Sequence, residues 1–272
     1  YNEVSITGRS DVNMLAVVNF EKRQVLLVSI PRDYYVTFPG ITGDARDKLT
    51  HSGIYGVDVQ KAAIEQLFGI NIDYFVRVNF TSVVNIIDAI GGLAFYNPYP
   101  FSTTYYDYFF DEGEVWCDGW QALQYARERK SLEGGDLARG EHQQIVIEAM
   151  INKLVSAASL THYTALMDAV DDCAITDMPQ DKIKEIVRLQ LEQGGSWNIL
   201  KVQATGEEVY QPSYASGGMI LSVVMPYKES VEYVSSKIQE VLAGSVIEDP
   251  SADAPDPEKE TLTYITELID VD

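Results

Sequence analysis

Short apolar runs alternate with segments of helical periodicity along most of the chain. Residues 12–19 and 24–30 are almost continuously apolar and are separated by a polar turn, which predicts two neighbouring strands in the interior of a sheet. Residues 57–68 place apolar side chains near a helical period and end before Gly69, so a helix is predicted there. This alternation of strands and helices favours an α/β protein built in layers.

The remaining elements follow from the same two periodicities. Strands are predicted at 72–78 and 197–204, and helices at 81–90 with Thr81 or Ser82 as N-cap, after Asp118, at 137–158, at 179–193 and at 226–243. The composition changes after Ala243, where proline and acidic residues become frequent. We therefore expect one folded domain over residues 1–247 and an acidic, proline-containing tail over 248–272.

Composition and charge limit the function classes. A chain of 272 residues with 46% hydrophobic content can bury a sizeable core. Its formal net charge of -21 argues against nucleic acid as a partner, because nucleic-acid binding relies on a basic face. The sequence contains no uninterrupted apolar run long enough for a bilayer span, and it starts at Tyr1, so we expect a soluble portion of a longer, processed protein.

The two cysteines, Cys117 and Cys173, have no C-x-x-C or histidine-rich context, which argues against a zinc site. A disulfide between them would contribute on the order of 4 kcal/mol by restricting the unfolded chain. Such a bond would mark an extracytoplasmic protein. The residues alone leave a disulfide and two free thiols equally open.

Cations are concentrated, against the acidic trend, in one segment of the chain. The segment holds Arg127, Arg129, Lys130, Arg139, Gln143 and Gln144. Arg139 and Gln143 share one helical face, and Asp136 lies near the N-terminus of that helix, where anions are favoured. The pattern predicts an anion-binding site. The alternative is an ordinary charged helix hairpin in which Glu128, Glu133 and Glu141 pair with the arginines.

Two further clusters lie at predicted strand ends, where α/β folds place ligands. Asp11 precedes the first strand and could hold Mg²⁺, or it could simply cap a turn. Arg32 and Asp33 follow the proline that ends the second strand; the arginine fork matches phosphate oxygens, and a plain surface pair is the alternative. Lys48 adds a point charge, and His51 is either a proton carrier or a structural hydrogen-bonding group.

Taken in order, these motifs resemble the LytR-CpsA-Psr family of bacterial cell-wall enzymes. The matching segments are residues 9–11 (Arg-Ser-Asp), 29–33 (Ser-Ile-Pro-Arg-Asp), 48–51 (Lys-Leu-Thr-His), 80–92, 122–129 and 136–144. Motifs for a P-loop, a dinucleotide fold, a zincin or a serine esterase are absent from the sequence. The resemblance implies a three-layer α/β/α sandwich with a mixed central sheet and an apolar pocket that accepts a lipid.

The same resemblance implies an activity and a location. The enzyme would be an Mg²⁺-dependent phosphotransferase that moves a glycopolymer, such as a teichoic acid or capsule, from an undecaprenyl-pyrophosphate carrier onto peptidoglycan through a phosphodiester. The full-length protein would be anchored in the bacterial membrane with this part outside the cytoplasm. The alternatives are a non-catalytic binder of anionic polyprenyl lipid or glycan, and a polyprenyl-pyrophosphate pyrophosphatase that uses water as acceptor.

Residue roles implied by the resemblance fall into three groups. Asp11 would help to hold Mg²⁺, the pyrophosphate would be gripped by Arg32, Lys48, Arg127, Arg129 and Arg139, and the site would be supported by Asp33, Asp136 and Gln143. Either aspartate of that last group is our hypothesis for the base that activates the acceptor hydroxyl.

Two departures from the family pattern are visible. Family members usually have another strand with an acidic residue before the Arg-Ser-Asp motif, so the metal site in this sequence is expected to lack one element. His142 stands where the family commonly has arginine, and we expect it to be a cation whose charge depends on pH. The aromatic segment 99–110 is expected mainly to pack as a hairpin, with a mobile lip that contacts prenyl chains or sugars as the alternative.

Overall fold

The computed structural model describes residues 7–156, 174–248, 250–251 and 254–255. The chain forms two compact units, a first unit from Asp73–Trp197 and a second unit that combines Ile6–Ile72 with Asn198–Asp272. The boundary predicted after residue 247 falls within the second unit. It stays a prediction, because most of the segment 248–272 lies outside the described residues.

Strands and helices are interspersed along the described chain. In order they are β1 (Asn13–Asn19), β2 (Gln24–Ile30), β3 (Tyr35–Val36), β4 (Asp47–Lys48), α1 (Leu49–Ser52), α2 (Val57–Phe68), β5 (Val76–Val78), α3 (Phe80–Ala89), β6 (Leu93–Asn97), β7 (Phe101–Ser102), β8 (Phe109–Phe110), β9 (Gly113–Cys117), α4 (Gly119–Arg127), α5 (Asp136–Leu154), β10 (Ala174–Thr176), α6 (Gln180–Gln193), β11 (Asn198–Gln203), β12 (Gly206–Ser213), β13 (Met219–Pro226) and α7 (Lys228–Leu242).

The second unit is built on a mixed sheet in the order β1-β2-β11. β2 lies in the centre, antiparallel to β1 and parallel to β11, and all of its seven residues are buried. α7 contributes Val234 and Ile238 to the same core. The continuous Val, Leu and Ile content of β2 suits a strand that is covered on both faces. The mixed α/β prediction is confirmed, whereas the three-layer sandwich and the lipid pocket stay predictions.

The prediction that β1 is also an interior strand is wrong. Ala16 and Val18 on one face of β1 are exposed, Val18 to 40%, and β1 lies at the edge of the sheet formed by the described residues. Val17 on the other face is buried in the core. The apolar residues of β1 are therefore buried on one face only, because β2 and α7 leave the other face of β1 open to solvent.

The hairpin of β12 and β13 was not predicted from the sequence. These strands pair antiparallel from Gly206↔Pro226 to Ser213↔Met219. Pro212 and the half-exposed polar residues of β12 hid the strand signal, because proline and acidic residues are depleted in strands. The hairpin matters for the site, because Ser213 and Leu221 reach the residues around Lys48.

The helices predicted in the first unit are present, but one predicted N-cap and one predicted strand are corrected. Asn79 rather than Thr81 or Ser82 caps α3, since its side chain accepts the N–H of Ser82 at 2.7 Å. The strand predicted over 72–78 is reduced to β5, because the N–H of Phe75 donates to the Asp177 carboxylate rather than to a strand partner. Asp118 caps α4 in a reciprocal capping box, as predicted.

Aromatic rings form the core of the first unit. Tyr125 of α4 stacks on His142 at 4.2 Å and packs against Phe95 and Phe110 at 4.8 and 5.1 Å between ring centroids. The segment 99–110 is thus a hairpin packed on the helices, although Tyr105, Tyr106 and Phe109 at its tip are exposed. None of the described helices is both long and apolar enough to span a bilayer.

Candidate functional site

A polar cavity in the second unit brings together four residues predicted from the sequence. It has a volume of about 300 Å³, and its lining consists of Arg9, Asp11, Arg32, Asp33, Lys48, Thr50, His51 and Leu221. Pro31 ends β2, so Arg32 and Asp33 leave the sheet at one edge, and Lys48 arrives from β4. Strand ends thus supply the charged walls of this cavity.

Ion pairs hold these four side chains in contact. Arg32 Nη1 lies 2.7 Å from Asp11 Oδ1, Arg32 Nε lies 3.7 Å from Asp33 Oδ2, and Lys48 Nζ lies 3.1 Å from Asp33 Oδ1. The Arg32 Nε–H is buried and has no hydrogen-bond partner within the described ranges. A buried donor without a partner is unfavourable unless a ligand accepts its bond. The cavity is therefore suited to an anion.

The carboxylates of this cavity decide whether it can hold Mg²⁺. Residues 7–156 and 174–248 contain no group of three or more acidic, histidine or cysteine side chains placed to enclose a metal. Asp11 is 47% exposed and its Oδ1 already accepts from Arg32. Mg²⁺ commonly binds one or two carboxylates and completes its shell with phosphate oxygens and water. Asp11 fits that open mode of binding, and its assignment to the metal stays a prediction.

Asp47 and His51 form a buried pair that the sequence analysis did not identify as a unit. Asp47 is completely buried and accepts four hydrogen bonds, from the Lys48 N–H, His51 Nδ1, the Ser213 hydroxyl and the Ala215 N–H, at 2.8, 2.9, 2.8 and 2.8 Å. Burial acts most strongly and would raise the pKa of Asp47, but these bonds together outweigh it, so the pKa is lowered. The i,i+4 spacing of Asp47 and His51 was the one available sequence signal.

The cationic segment of the first unit is organised around Asp136, the first residue of α5. Arg139 Nη2 lies 2.6 Å from Asp136 Oδ1, and Arg129 Nε lies 3.7 Å from the same oxygen. Gln143 donates to the Ala126 carbonyl at 3.4 Å. Arg129 and Arg139 are therefore brought to one carboxylate.

Arg127 takes a different position from the other two arginines. Its guanidinium carbon lies 4.4 Å above the Phe80 ring, in a cation–π contact. Among the described residues it has no ion pair, and it is exposed at the end of α4. Arg127 is therefore held by stacking, with its charge available to a ligand. Its convergence with Arg32 of the second unit stays a prediction.

Glu128 does not pair with the arginines, contrary to the alternative considered for this segment. Its carboxylate is buried and accepts the N–H and hydroxyl of Thr104 at 2.6 and 2.8 Å and the N–H groups of Arg129, Lys130 and Ser131 at 3.0, 2.8 and 3.1 Å. Burial is the largest single influence and would raise the pKa of Glu128, but these bonds lower it to about 2. The carboxylate thereby fixes the backbone that carries Arg129.

The expectation of a pH-dependent cation at His142 is wrong at physiological pH. The ring is fully buried between Tyr99, Phe101 and Tyr125, and its Nε2 lies 3.1 Å from the Tyr99 hydroxyl. Burial is the main cause that lowers the pKa of His142 to about 4, although the Tyr125 carbonyl and Glu128 oppose it. His142 is therefore a neutral packing residue.

Cys117 ends β9 and is buried, and burial raises the pKa of its thiol to about 12, so the thiol is not a reactive thiolate. Its proposed partner Cys173 lies outside the described residues. The disulfide between them stays a prediction.

Comparison with known proteins identifies relatives of this chain. The model of the LytR_cpsA_psr family matches residues 2–229. A polyisoprenyl-teichoic acid–peptidoglycan teichoic acid transferase, TagU of Oceanobacillus iheyensis, is 32% identical over 209 residues, which are 74% of this chain and 64% of that protein. The chain thus spans less than two thirds of that relative's length.

Solved structures agree with the fold. The crystal structure of Bacillus subtilis TagV has a TM-score of 0.71 at 25% identity, and the alignment covers 88% of this chain and 91% of that one. A structure of TagT bound to LIIa-WTA has a TM-score of 0.67 at 25% identity, with 86% of each chain covered. With the family model matching most of its length, the chain belongs to the LytR-CpsA-Psr family.

Proposed function

We propose that this protein is a phosphotransferase that moves a glycopolymer from an undecaprenyl-pyrophosphate carrier onto peptidoglycan and leaves a phosphodiester link. The observation that carries the proposal is the buried Arg32 Nε–H, which lacks a hydrogen-bond partner within the described ranges and belongs to a cavity lined by further cations. The names of relatives give support, since TagU is a teichoic acid transferase and a TagT structure contains LIIa-WTA.

The chemistry needs charge neutralisation and positioning more than covalent help from the protein. The acceptor oxygen bonds to the phosphorus next to the glycopolymer, the bridging P–O bond breaks, and its electron pair leaves with the polyprenyl phosphate. Negative charge builds up on the leaving phosphate, and arginine forks stabilise such charge. Arg32 and Lys48 in the second unit, and Arg127, Arg129 and Arg139 in the first, are the cations proposed for this task.

Aspartates hold these cations in ion pairs before the substrate binds. Asp33 balances Arg32 and Lys48, and Asp136 balances Arg129 and Arg139. A pyrophosphate can replace a carboxylate in a partly exposed ion pair at little net loss, because such pairs contribute only about 0–1 kcal/mol. The carboxylates thereby keep the cationic side chains in position for the pyrophosphate of the donor.

Mg²⁺ is part of the proposal, with Asp11 as its protein ligand. The ion would neutralise charge on the phosphate oxygens during transfer. Asp11 in this chain also orients Arg32, so the residue would align an arginine and a metal on one anion. We place the activity outside the cytoplasm, with the full-length protein attached to the membrane where the lipid carrier resides.

A reconstituted assay tests the proposal. Purified protein is incubated with a lipid-linked glycopolymer donor, with and without a peptidoglycan oligosaccharide acceptor, and the products are identified by mass spectrometry. Transfer predicts a phosphodiester-linked product that requires the acceptor and is lost with EDTA. Release of free phosphorylated glycopolymer in water would instead identify a pyrophosphatase, and an unchanged donor would identify a non-catalytic binder.

The Arg127→Ala variant probes the cation that is held by stacking alone. We expect it to lose transfer while its thermal unfolding stays close to that of the parent protein, because Arg127 is exposed and contributes no ion pair within the described ranges. Arg188→Ala is the matched control: Arg188 is 69% exposed on α6 and pairs only loosely with Glu192 at 3.7 Å. Normal transfer by Arg127→Ala would reject its role in binding the pyrophosphate.

A further inference from the structure

The buried pair of Asp47 and His51 lies in the wall of the charged cavity. The His51 side chain is 5% exposed and the Asp47 side chain is completely buried. His51 nevertheless lines the cavity together with Arg32, Asp33 and Lys48. A buried imidazole at the surface of an anion site has one ring nitrogen turned to the protein and the other available to a ligand.

The hydrogen bond to Asp47 selects the tautomer of His51. Asp47 Oδ1 is a carboxylate acceptor that lies 2.9 Å from Nδ1, so Nδ1 carries the proton in the neutral ring. Nε2 is then the unprotonated nitrogen, and no hydrogen bond to it occurs among residues 7–156 and 174–248. A neutral imidazole held in this way is a proton acceptor.

The backbone fixes His51 relative to Arg32. The Thr50 N–H donates to the Arg32 carbonyl at 2.7 Å, and the Leu49 N–H donates to the Tyr34 carbonyl at 2.8 Å. The Thr50 carbonyl accepts the N–H of Ser10 at 3.2 Å, which ties the Asp11 segment to the same short helix. The imidazole, the unpartnered arginine donor and the carboxylate Asp11 are therefore held on one rigid frame.

The two aspartates considered as bases are less suited to accept a proton. Asp33 has one oxygen beside Arg32 and the other beside Lys48, and a single oxygen of Asp136 faces both Arg129 and Arg139, so ion pairs already engage both carboxylates. In the second unit His51 lines the cavity, and its Nε2 offers a lone pair that has no hydrogen-bond partner among the described residues.

We propose that His51, oriented by Asp47, accepts the proton of the acceptor hydroxyl during transfer. The inference rests on the proposed function and adds a catalytic residue to it. In this step the acceptor O–H bond breaks, its proton goes to Nε2, and the oxygen forms the new bond to phosphorus while the electron pair of the bridging P–O bond leaves with the polyprenyl phosphate. The imidazolium then returns its proton to solvent or to the departing phosphate.

Charged groups of both signs surround the His51 ring. The groups that face the cavity with His51 are Arg9, Asp11, Arg32, Asp33 and Lys48, and Asp47 lies behind the ring. Transfer by this route requires an unprotonated Nε2. A purely structural pair would instead alter stability and leave the rate of transfer by the folded protein unchanged.

Two variants separate a catalytic role of His51 from a structural one, because each removes one hydrogen bond to Asp47 Oδ1. His51 and Ser213 both donate to Asp47 Oδ1, at 2.9 and 2.8 Å. His51→Gln should lower kcat by roughly 10²- to 10⁴-fold, the usual contribution of a general base. Ser213→Ala removes this bond to Asp47 and the one that its hydroxyl accepts from the Ser216 N–H, and it should keep kcat within about threefold, in line with the modest net worth of such bonds.

Chemical rescue completes the test. The His51→Ala protein, assayed with the lipid-linked donor and the peptidoglycan oligosaccharide acceptor, should regain transfer in proportion to the concentration of neutral imidazole added. If the parent protein forms no phosphodiester product, the proposed function fails. If the parent protein is active but His51→Gln and Ser213→Ala lose equal activity, or imidazole restores nothing, the assignment of His51 is overturned.

Discussion

Replacing Glu128 with glutamine should destabilise the protein in a way that depends on pH. The carboxylate is 5% exposed and receives hydrogen bonds from Thr104 and from the backbone of residues 129–131. Glutamine has nearly the same shape but offers one acceptor oxygen and turns an NH₂ group toward backbone donors. At least one buried N–H group would then face another donor, which is unfavourable.

The size of the effect follows from the titration of the carboxylate. Its ordinary pKa of 4.5 falls to about 2 in the folded protein. At 1.36 kcal/mol per pH unit, that gap corresponds to about 3 kcal/mol of stability. Because the folded pKa is the lower one, this contribution is fully present above pH 4.5 and is lost as the pH falls toward 2.

Urea unfolding measured at several pH values provides the assay. At pH 7 the free energy of unfolding of Glu128→Gln should be about 3 kcal/mol below that of the parent protein, and the difference should shrink between pH 4.5 and pH 2. Glu133→Gln is the control, because Glu133 is exposed in the same loop and the substitution changes the net charge equally. A difference that stays constant across this pH range would refute the reasoning.

Two further predictions concern packing in the first unit. Because burial lowers the pKa of His142 to about 4, its imidazole should stay neutral in an NMR titration from pH 8 to about 5, and titration near the ordinary value of 6.5 would contradict the buried ring. Gly119→Ala should lower the unfolding free energy by roughly 1–3 kcal/mol, because its Cβ would lie 2.3 Å from the Val84 carbonyl oxygen. An unchanged melting temperature would show that α3 and α4 can separate at no penalty.

Local signals in the sequence were sufficient for most helices and for the central strand. α2 occupies 57–68, as its apolar period and Gly69 predicted, and β2 occupies 24–30. The charged clusters were also predictable, since Arg32 and Asp33 follow a strand and Arg139 lies one turn from Asp136. Short-range spacing carries this information, because residues three or four apart on a helix are neighbours.

The features that sequence reasoning missed depend on contacts between distant parts of the chain. Asp47 is buried by Ser213 and Ala215, which lie 166 and 168 residues later, on a hairpin that itself was not predicted. Glu128 is buried by Thr104, which lies 24 residues earlier. A single acidic residue in a polar loop has no periodicity of its own, so its burial cannot be inferred until its partners are placed.

One arrangement recurs in the two units and explains why simple charge pairing misleads here. Asp47 precedes Lys48, and Glu128 precedes Arg129, so each pair looks like neutralised charge in the sequence. Each acid instead accepts the backbone N–H of the residue that follows it, at 2.8 Å for Lys48 and 3.0 Å for Arg129. Backbone and side-chain donors together occupy the acid, and the neighbouring cation pairs with another carboxylate of its unit, Lys48 with Asp33 and Arg129 with Asp136. In both places the acidic side chain therefore fixes the backbone, and the cation next to it in the sequence pairs with a different carboxylate.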